Sequence, residues 1–131
     1  MFVDTSAIVA ILLGENDARA LSAAVDSASR RLTSAAVRLE ACMVLAGRRD
    51  VAPLRAQHYF DGLASQFALT EIPIDETIGR MAVACFERYG KGRHPAQLNF
   101  GDCLSYACAK AAGARLLFKG QDFAKTDVNE S

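Results

Sequence analysis

The chain has 131 residues, 51 % of them hydrophobic, enough for one domain with its own core and too few for a second. Lys plus Arg and Asp plus Glu both number 15, so the formal charge is zero; an anionic partner would need a local basic patch, not a global field. The four cysteines, Cys42, Cys85, Cys103 and Cys108, form no CxxC pair and lie mostly in apolar, helix-like stretches, which argues against a zinc or disulfide framework and for reduced core thiols in the cytoplasm.

Phe2 to Asp4 reads as a short buried strand. Asp4 interrupts the apolar segment and no basic leader precedes it, so the segment is a poor secretory signal. No apolar run reaches the ~18 residues that span a bilayer, and no membrane association is expected. Thr5 or Ser6 can cap a helix to about Leu13, with Gly14 as its stop. Asn16 or Asp17 opens a second helix through "DARALSAAVDSA". "RRLTS" is the next strand, ending near Ser34, and "AAVRLEACMVLAGR" the next helix, closed by Gly47 or soon after. "VAPLRAQHYFDGLASQF" is helical, with Pro53 tolerated in its first turn. "LTEIPI" is a strand, followed by a helix from Asp75 to about Tyr89. "GKGRHPAQ" is a loop broken by glycines and a proline. "NFGDCLSYACAKAAG" is a helix with Asn99 as cap and Gly113 as stop, "RLLF" a last strand, and "KGQDFAKTDVNES" a polar tail. Strands alternating with helices predict an α/β fold: a parallel sheet flanked by helices, one domain over residues 1–131.

Ligands of such folds gather outside the carboxyl ends of the strands. Asp4 falls at such an end; its bland reading is a helix cap, a task Thr5 or Ser6 could perform. Glu40 shares a helix face with Val37 and Val44, where a carboxylate is costly unless paired, for example with Arg38, or bound to a cation. Asp102 follows Asn99 at capping-box spacing and, taken singly, reads as ordinary helix-dipole chemistry. Converged, the three would form an all-oxygen, negative cleft that repels itself without a hard divalent cation; Mg²⁺ or Mn²⁺ fits, zinc does not. Asp122 and Asp127 in the tail are candidates for a fourth acid. Lys91 and Arg93, in a glycine-bearing loop before Asp102, could contact phosphate, although no P-loop spacing is present.

"VDTSA", "LE" at the second strand–helix unit, "YGKGRH", "NFGDC" and "LLFKGQDFAKTD" together resemble the PIN-domain ribonucleases, and most nearly the VapC toxins of type II toxin–antitoxin systems. The resemblance covers essentially the whole chain. It implies a PIN-like α/β/α sandwich, a Mg²⁺-dependent endoribonuclease, an RNA substrate, a VapB-like antitoxin and a homodimer. It maps the core acids onto Asp4, Glu40 and Asp102. Gly120 and Gln121 stand where many relatives carry an acid, which leaves Asp122 as the fourth catalytic and metal-binding candidate. Lys91, Arg93, Ser6 and Asn99 are the expected substrate contacts. The competing expectation is a catalytically weak PIN-fold binding module acting through its antitoxin. A phosphatase with an aspartyl nucleophile would show DxD near its first strand, where this chain has Asp4-Thr5-Ser6.

Overall fold

A computed structural model describes residues 1–130. Four parallel strands, β1 (Phe2–Val3), β2 (Leu32–Thr33), β3 (Thr70–Glu71) and β4 (Leu116–Leu117), form one sheet in the order β3-β2-β1-β4. Phe2 lies opposite Leu32 on one side and Leu116 on the other, and Leu32 opposite Thr70. The chain winds outward from β1 to β3, then crosses back to place β4 on the far side of β1. Winding therefore reverses between β1 and β4, the place where open α/β sheets bind ligands.

Six helices cover the sheet: α1 (Thr5–Leu13), α2 (Ala18–Ser27), α3 (Ala35–Arg49), α4 (Pro53–Gln66), α5 (Glu76–Tyr89) and α6 (Phe100–Ala111). α3 packs on α4, α5 on α6, and α1 against both α2 and α3. Phe2, Ile8, Phe60 and Leu98 are fully buried at the centre of a single core. All four cysteines are buried free thiols. Among the described residues no helix is long and apolar enough to cross a membrane.

The α/β class and the element order match the sequence reading; several boundaries do not. All four strands are two residues long; after β1 and β2 the next residue already starts a helix. Asp4 and Ser34, read as strand ends, are extended N-caps of α1 and α3. The cap expected at Thr5 or Ser6 is thus displaced to Asp4, whose side chain accepts the Ser6 N–H. α3 runs through Gly47 and closes soon after it, as expected. An interior glycine costs only about 1 kcal/mol relative to alanine, and the buried stripe of Val37, Ala41, Cys42 and Leu45 carries the helix to Arg49. It ends at Asp50, left-handed at φ 51°, a conformation that Asp tolerates better than most residues.

The polar tail is docked through its apolar residues. Phe123, opening a short 3₁₀ turn (Phe123–Lys125), and Val128 are both buried. The Asn129 side chain pairs with the outer edge of β4: its Oδ1 accepts the Leu116 N–H at 2.8 Å and its Nδ2 donates to the Leu116 carbonyl at 3.0 Å. One amide thus satisfies both backbone groups that the last strand leaves unpaired. Asn129→Ala should destabilise the protein by about 1–3 kcal/mol in urea unfolding, with Asn129→Asp intermediate, since it keeps the acceptor and loses the donor. Equal stability of Asn129→Ala and wild type would contradict this role.

Candidate active site

Asp4 sits between β1 and α1, and its N–H donates to the Leu117 carbonyl at 3.0 Å. That bond ties the first strand–helix junction to the end of β4, at the point where winding reverses. The Asp4 side chain is 2 % exposed. Its Oδ2 accepts from the Ser6 N–H (3.0 Å) and from the Ser6 hydroxyl (2.7 Å). Ser6 Oγ in turn accepts the Lys119 N–H at 2.9 Å. Ser6, expected as a substrate contact, therefore holds Asp4. Asp4 Oδ1 is buried and has no hydrogen-bond partner, and neither has Thr5 Oγ1 beside it. Buried polar atoms are rarely left in this state, and for a carboxylate oxygen the cost is about 1–3 kcal/mol or more. Both residues line a cavity of about 390 Å³.

Glu40 and Asp102 line the same cavity. Arg38, the neighbour that could have neutralised Glu40, turns instead to Asp61 and Glu71. The Glu40 carboxylate lies against the backbone of Gly101, so closely that a Cβ at that position would overlap Oε2. A side chain there would displace the carboxylate, so glycine lets the acid of α3 rest on the first turn of α6. Asp102, one residue on, closes a capping box: its N–H donates to Asn99 Oδ1 (2.9 Å) and its Oδ2 accepts the Asn99 N–H (3.0 Å). The structural role and the placement in the cavity coexist. Burial pushes the Asp102 carboxyl up to about 6; the bond from the Asn99 N–H opposes this, while the charges of Asp4, Glu40 and Asp122 add to it.

The two tail acids differ. Asp122 is exposed at the start of the 3₁₀ turn and near enough to Asp102 to raise its pKa. Asp127 is committed elsewhere. It accepts from the Tyr106 hydroxyl at 2.6 Å, lies 3.2 Å from Arg88 Nη1, and its carbonyl takes Lys110 Nζ at 2.9 Å. Burial raises the Asp127 pKa, but the Tyr106 hydroxyl and the Lys110 charge outweigh it and hold the carboxyl below its usual value.

Lys91 and Arg93 are exposed and do not line the cavity; the Arg93 Nε donates to the Glu87 carbonyl at the end of α5. The cations in the cavity wall are Arg48 and Lys119, accompanied by Glu15. Sequence reasoning passed over all three. Lys119 carried a usable signal, since it lies just beyond a strand end, as Asp4 does. Arg48 carried a weaker one, its spacing of two four-residue steps from Glu40 on α3.

Among the described residues no three His, Cys, Asp or Glu side chains converge closely enough to form a ready-made metal cage. The donor chemistry still fits a hard divalent cation that keeps several waters. The set is all oxygen, one buried carboxylate oxygen is orphaned, and mutual repulsion raises a neighbouring pKa.

Burial of Asp102, with the repulsion added to it, has a thermodynamic signature. The folded-state pKa of Asp102, about 6, lies above its ordinary 3.8. Between these values the folded protein holds a proton that the unfolded chain has released, so stability falls as pH rises through the window and stays lower above it. In EDTA at neutral pH, Asp102→Asn should therefore melt higher than wild type, and the two curves should converge as pH falls toward about 4. A variant that melts lower at neutral pH would contradict the account.

Residues 1–129 match the PIN domain family. The chain is 45 % identical over 132 residues to Ribonuclease VapC28 of Mycobacterium tuberculosis, covering 100 % of this chain and 97 % of the relative. It is 42 % identical over 128 residues to Ribonuclease VapC of Mycolicibacterium smegmatis, covering 98 % and 97 %. The crystal structure of Mycobacterium tuberculosis VapC20, described as a sarcin-ricin loop cleaving toxin, superposes with a TM-score of 0.71 at 21 % identity, over 94 % of this chain and 92 % of that one. With the acids gathered where the sheet reverses its winding and similarity running the length of the chain, this protein belongs to the PIN-domain family, among its VapC ribonucleases.

Proposed function

We propose that this protein is a Mg²⁺-dependent endoribonuclease, with Mn²⁺ as substitute, and the toxin of a VapBC-type pair held inactive in the cytoplasm by a VapB-like antitoxin. The observation that carries this reading is the buried, unpartnered Asp4 Oδ1 in the wall of a cavity shared with Glu40 and Asp102. Asp4 and Asp102 are the assigned metal ligands, Glu40 supports them across Gly101, and Asp122 is the fourth acid. A bound cation would polarise the phosphodiester and acidify a water for attack on phosphorus. Ser6 fixes the Asp4 carboxylate, leaving Oδ1 free for a ligand. Asn99 holds Asp102 through the capping box. Lys91 and Arg93, outside the cavity, are assigned to the RNA backbone further along. Full-length similarity to ribonucleases supports the substrate class. The exposed Val83, Phe86 and Phe100 side chains, which frame an apolar groove between α5 and α6, support a homodimer.

The test is cleavage of a structured RNA by the purified protein. Wild type should cut in Mg²⁺ or Mn²⁺ and stop in excess EDTA. Asp4→Asn should lose more than about a hundredfold in rate while keeping its fold, since the cost of a lost ligand exceeds that of a lost outer-shell partner. Asp122→Asn should lose less than Asp4→Asn or Asp102→Asn, and Asp127→Asn should lose less still. Cleavage persisting in EDTA would refute the metal mechanism. An inert wild type in every metal would favour the binding module that acts only through its antitoxin.

A further inference from the structure

The cavity extends beyond its acids. Glu40, Val44 and Arg48 recur at four-residue spacing on α3, so they share a face, and all three line the cavity. At 1.5 Å per residue Arg48 lies on the order of 12 Å along the helix from Glu40. On the α1 side the wall runs from Ser6 past Val9 to Glu15, just beyond the helix end. The cavity is therefore a trough. Its acids lie at one end, Arg48, Lys119 and Glu15 at the other, and Val9 and Val44 between them.

The far end is held by backbone. Gly14, left-handed at φ 64°, ends α1, and the Glu15 N–H donates back to the Ala10 carbonyl at 3.0 Å. Lys119 is fixed by its own N–H on Ser6 Oγ, so its side chain springs from the same knot that holds Asp4. A single oxygen, Glu15 Oε2, lies 3.1 Å from Lys119 Nζ and 4.0 Å from Arg48 Nη2. Asp17 Oδ1 stands a further 3.3 Å from the same ammonium. One anionic oxygen bridging two cations from separate elements is the arrangement that a non-bridging phosphate oxygen would adopt. The two cations are exposed, Arg48 at 54 % and Lys119 at 36 %, and Glu15 between them at 26 %. Pairs of this kind are weak and salt-screened, so an incoming anion can replace the carboxylate.

We propose that Arg48 and Lys119 clamp an RNA phosphate flanking the scissile one, and that Glu15 is the carboxylate holding that place until RNA arrives. This rests on the nuclease reading above. The distance along α3 separates the clamp from the acids, so it grips a neighbouring phosphate and leaves the reacting one to the metal end. Glu15 releases its two cations to the phosphate and turns to solvent, and no bond is made or broken. The clamp gives a protein of zero formal net charge two cations that an RNA phosphate can take over from Glu15.

Binding of a short, fluorescently labelled single-stranded RNA of mixed sequence, followed by anisotropy in Mg²⁺ across a salt series, tests the clamp. All proteins carry Asp4→Asn so that the RNA stays intact. Lys119→Met and Arg48→Met keep the apolar stems and remove the charges. Each should weaken binding and lower the slope of log affinity against log salt by about 0.7, and Lys119→Arg should restore it. Glu15→Gln should tighten binding several-fold. In cleavage assays on proteins that keep the native Asp4, the Met variants should raise KM more than they lower kcat, and a dinucleotide substrate lacking the flanking phosphate should not respond to them. An unchanged salt slope, or weaker binding by Glu15→Gln, overturns the clamp while leaving the nuclease standing. If the Asp4 protein neither binds nor cuts RNA, the nuclease reading falls and the clamp falls with it.

Discussion

The site depends on a division of labour within one carboxylate. Asp4 Oδ2 is saturated by the backbone and hydroxyl of Ser6, and Oδ1 is left buried with nothing to bond. The first oxygen belongs to the fold: it caps α1, and through Ser6 it ties that cap to the backbone of Lys119 beyond β4. The second is open to a ligand. The fold supplies the energy that keeps a charged group in so dry a place, because removing the Asp4 cap would also undo the junction between β1, β4 and α1. A cation at Oδ1 would discharge the remaining cost.

The same economy recurs at Asp102, which is both the third residue of a capping box and a member of the acid cavity. Three helices, α1, α3 and α6, begin at this end of the sheet, and the positive ends of their dipoles moderate the repulsion among Asp4, Glu40 and Asp102. They do not abolish it: the charges of Asp4 and Glu40 add to the burial that raises the Asp102 pKa. Gly101 matters for the same reason, since a side chain there would push Glu40 away from its neighbours.

Much of this is local and therefore legible in the chain. Helix periodicity, the Asn99–Asp102 spacing and the acid at the end of the first strand are short-range features, and each appears where the sequence places it. The strand lengths were not legible, because a residue such as Ser34 has β-region backbone angles whether it ends a strand or caps a helix. In the docked tail the apolar Phe123 was a legible anchor, but the pairing was hidden: Asn129 reads as a loop residue until β4 presents an unpaired edge to it. The cations were hardest. Lys91 and Arg93 drew attention by sitting in a glycine-bearing loop near Asp102, whereas Arg48 and Lys119 meet only through Glu15, across long stretches of chain.

The central claim is that the orphaned oxygen of Asp4 exists to meet a hard cation. Crystals grown with Mn²⁺ and measured at its absorption edge test this directly. The account predicts an anomalous peak in the acid cavity, within bonding distance of Asp4 Oδ1 and next to Asp102, that is lost in Asp4→Asn. A fully occupied Mn²⁺ site elsewhere with none in this cavity, or a peak unchanged in Asp4→Asn, would contradict it.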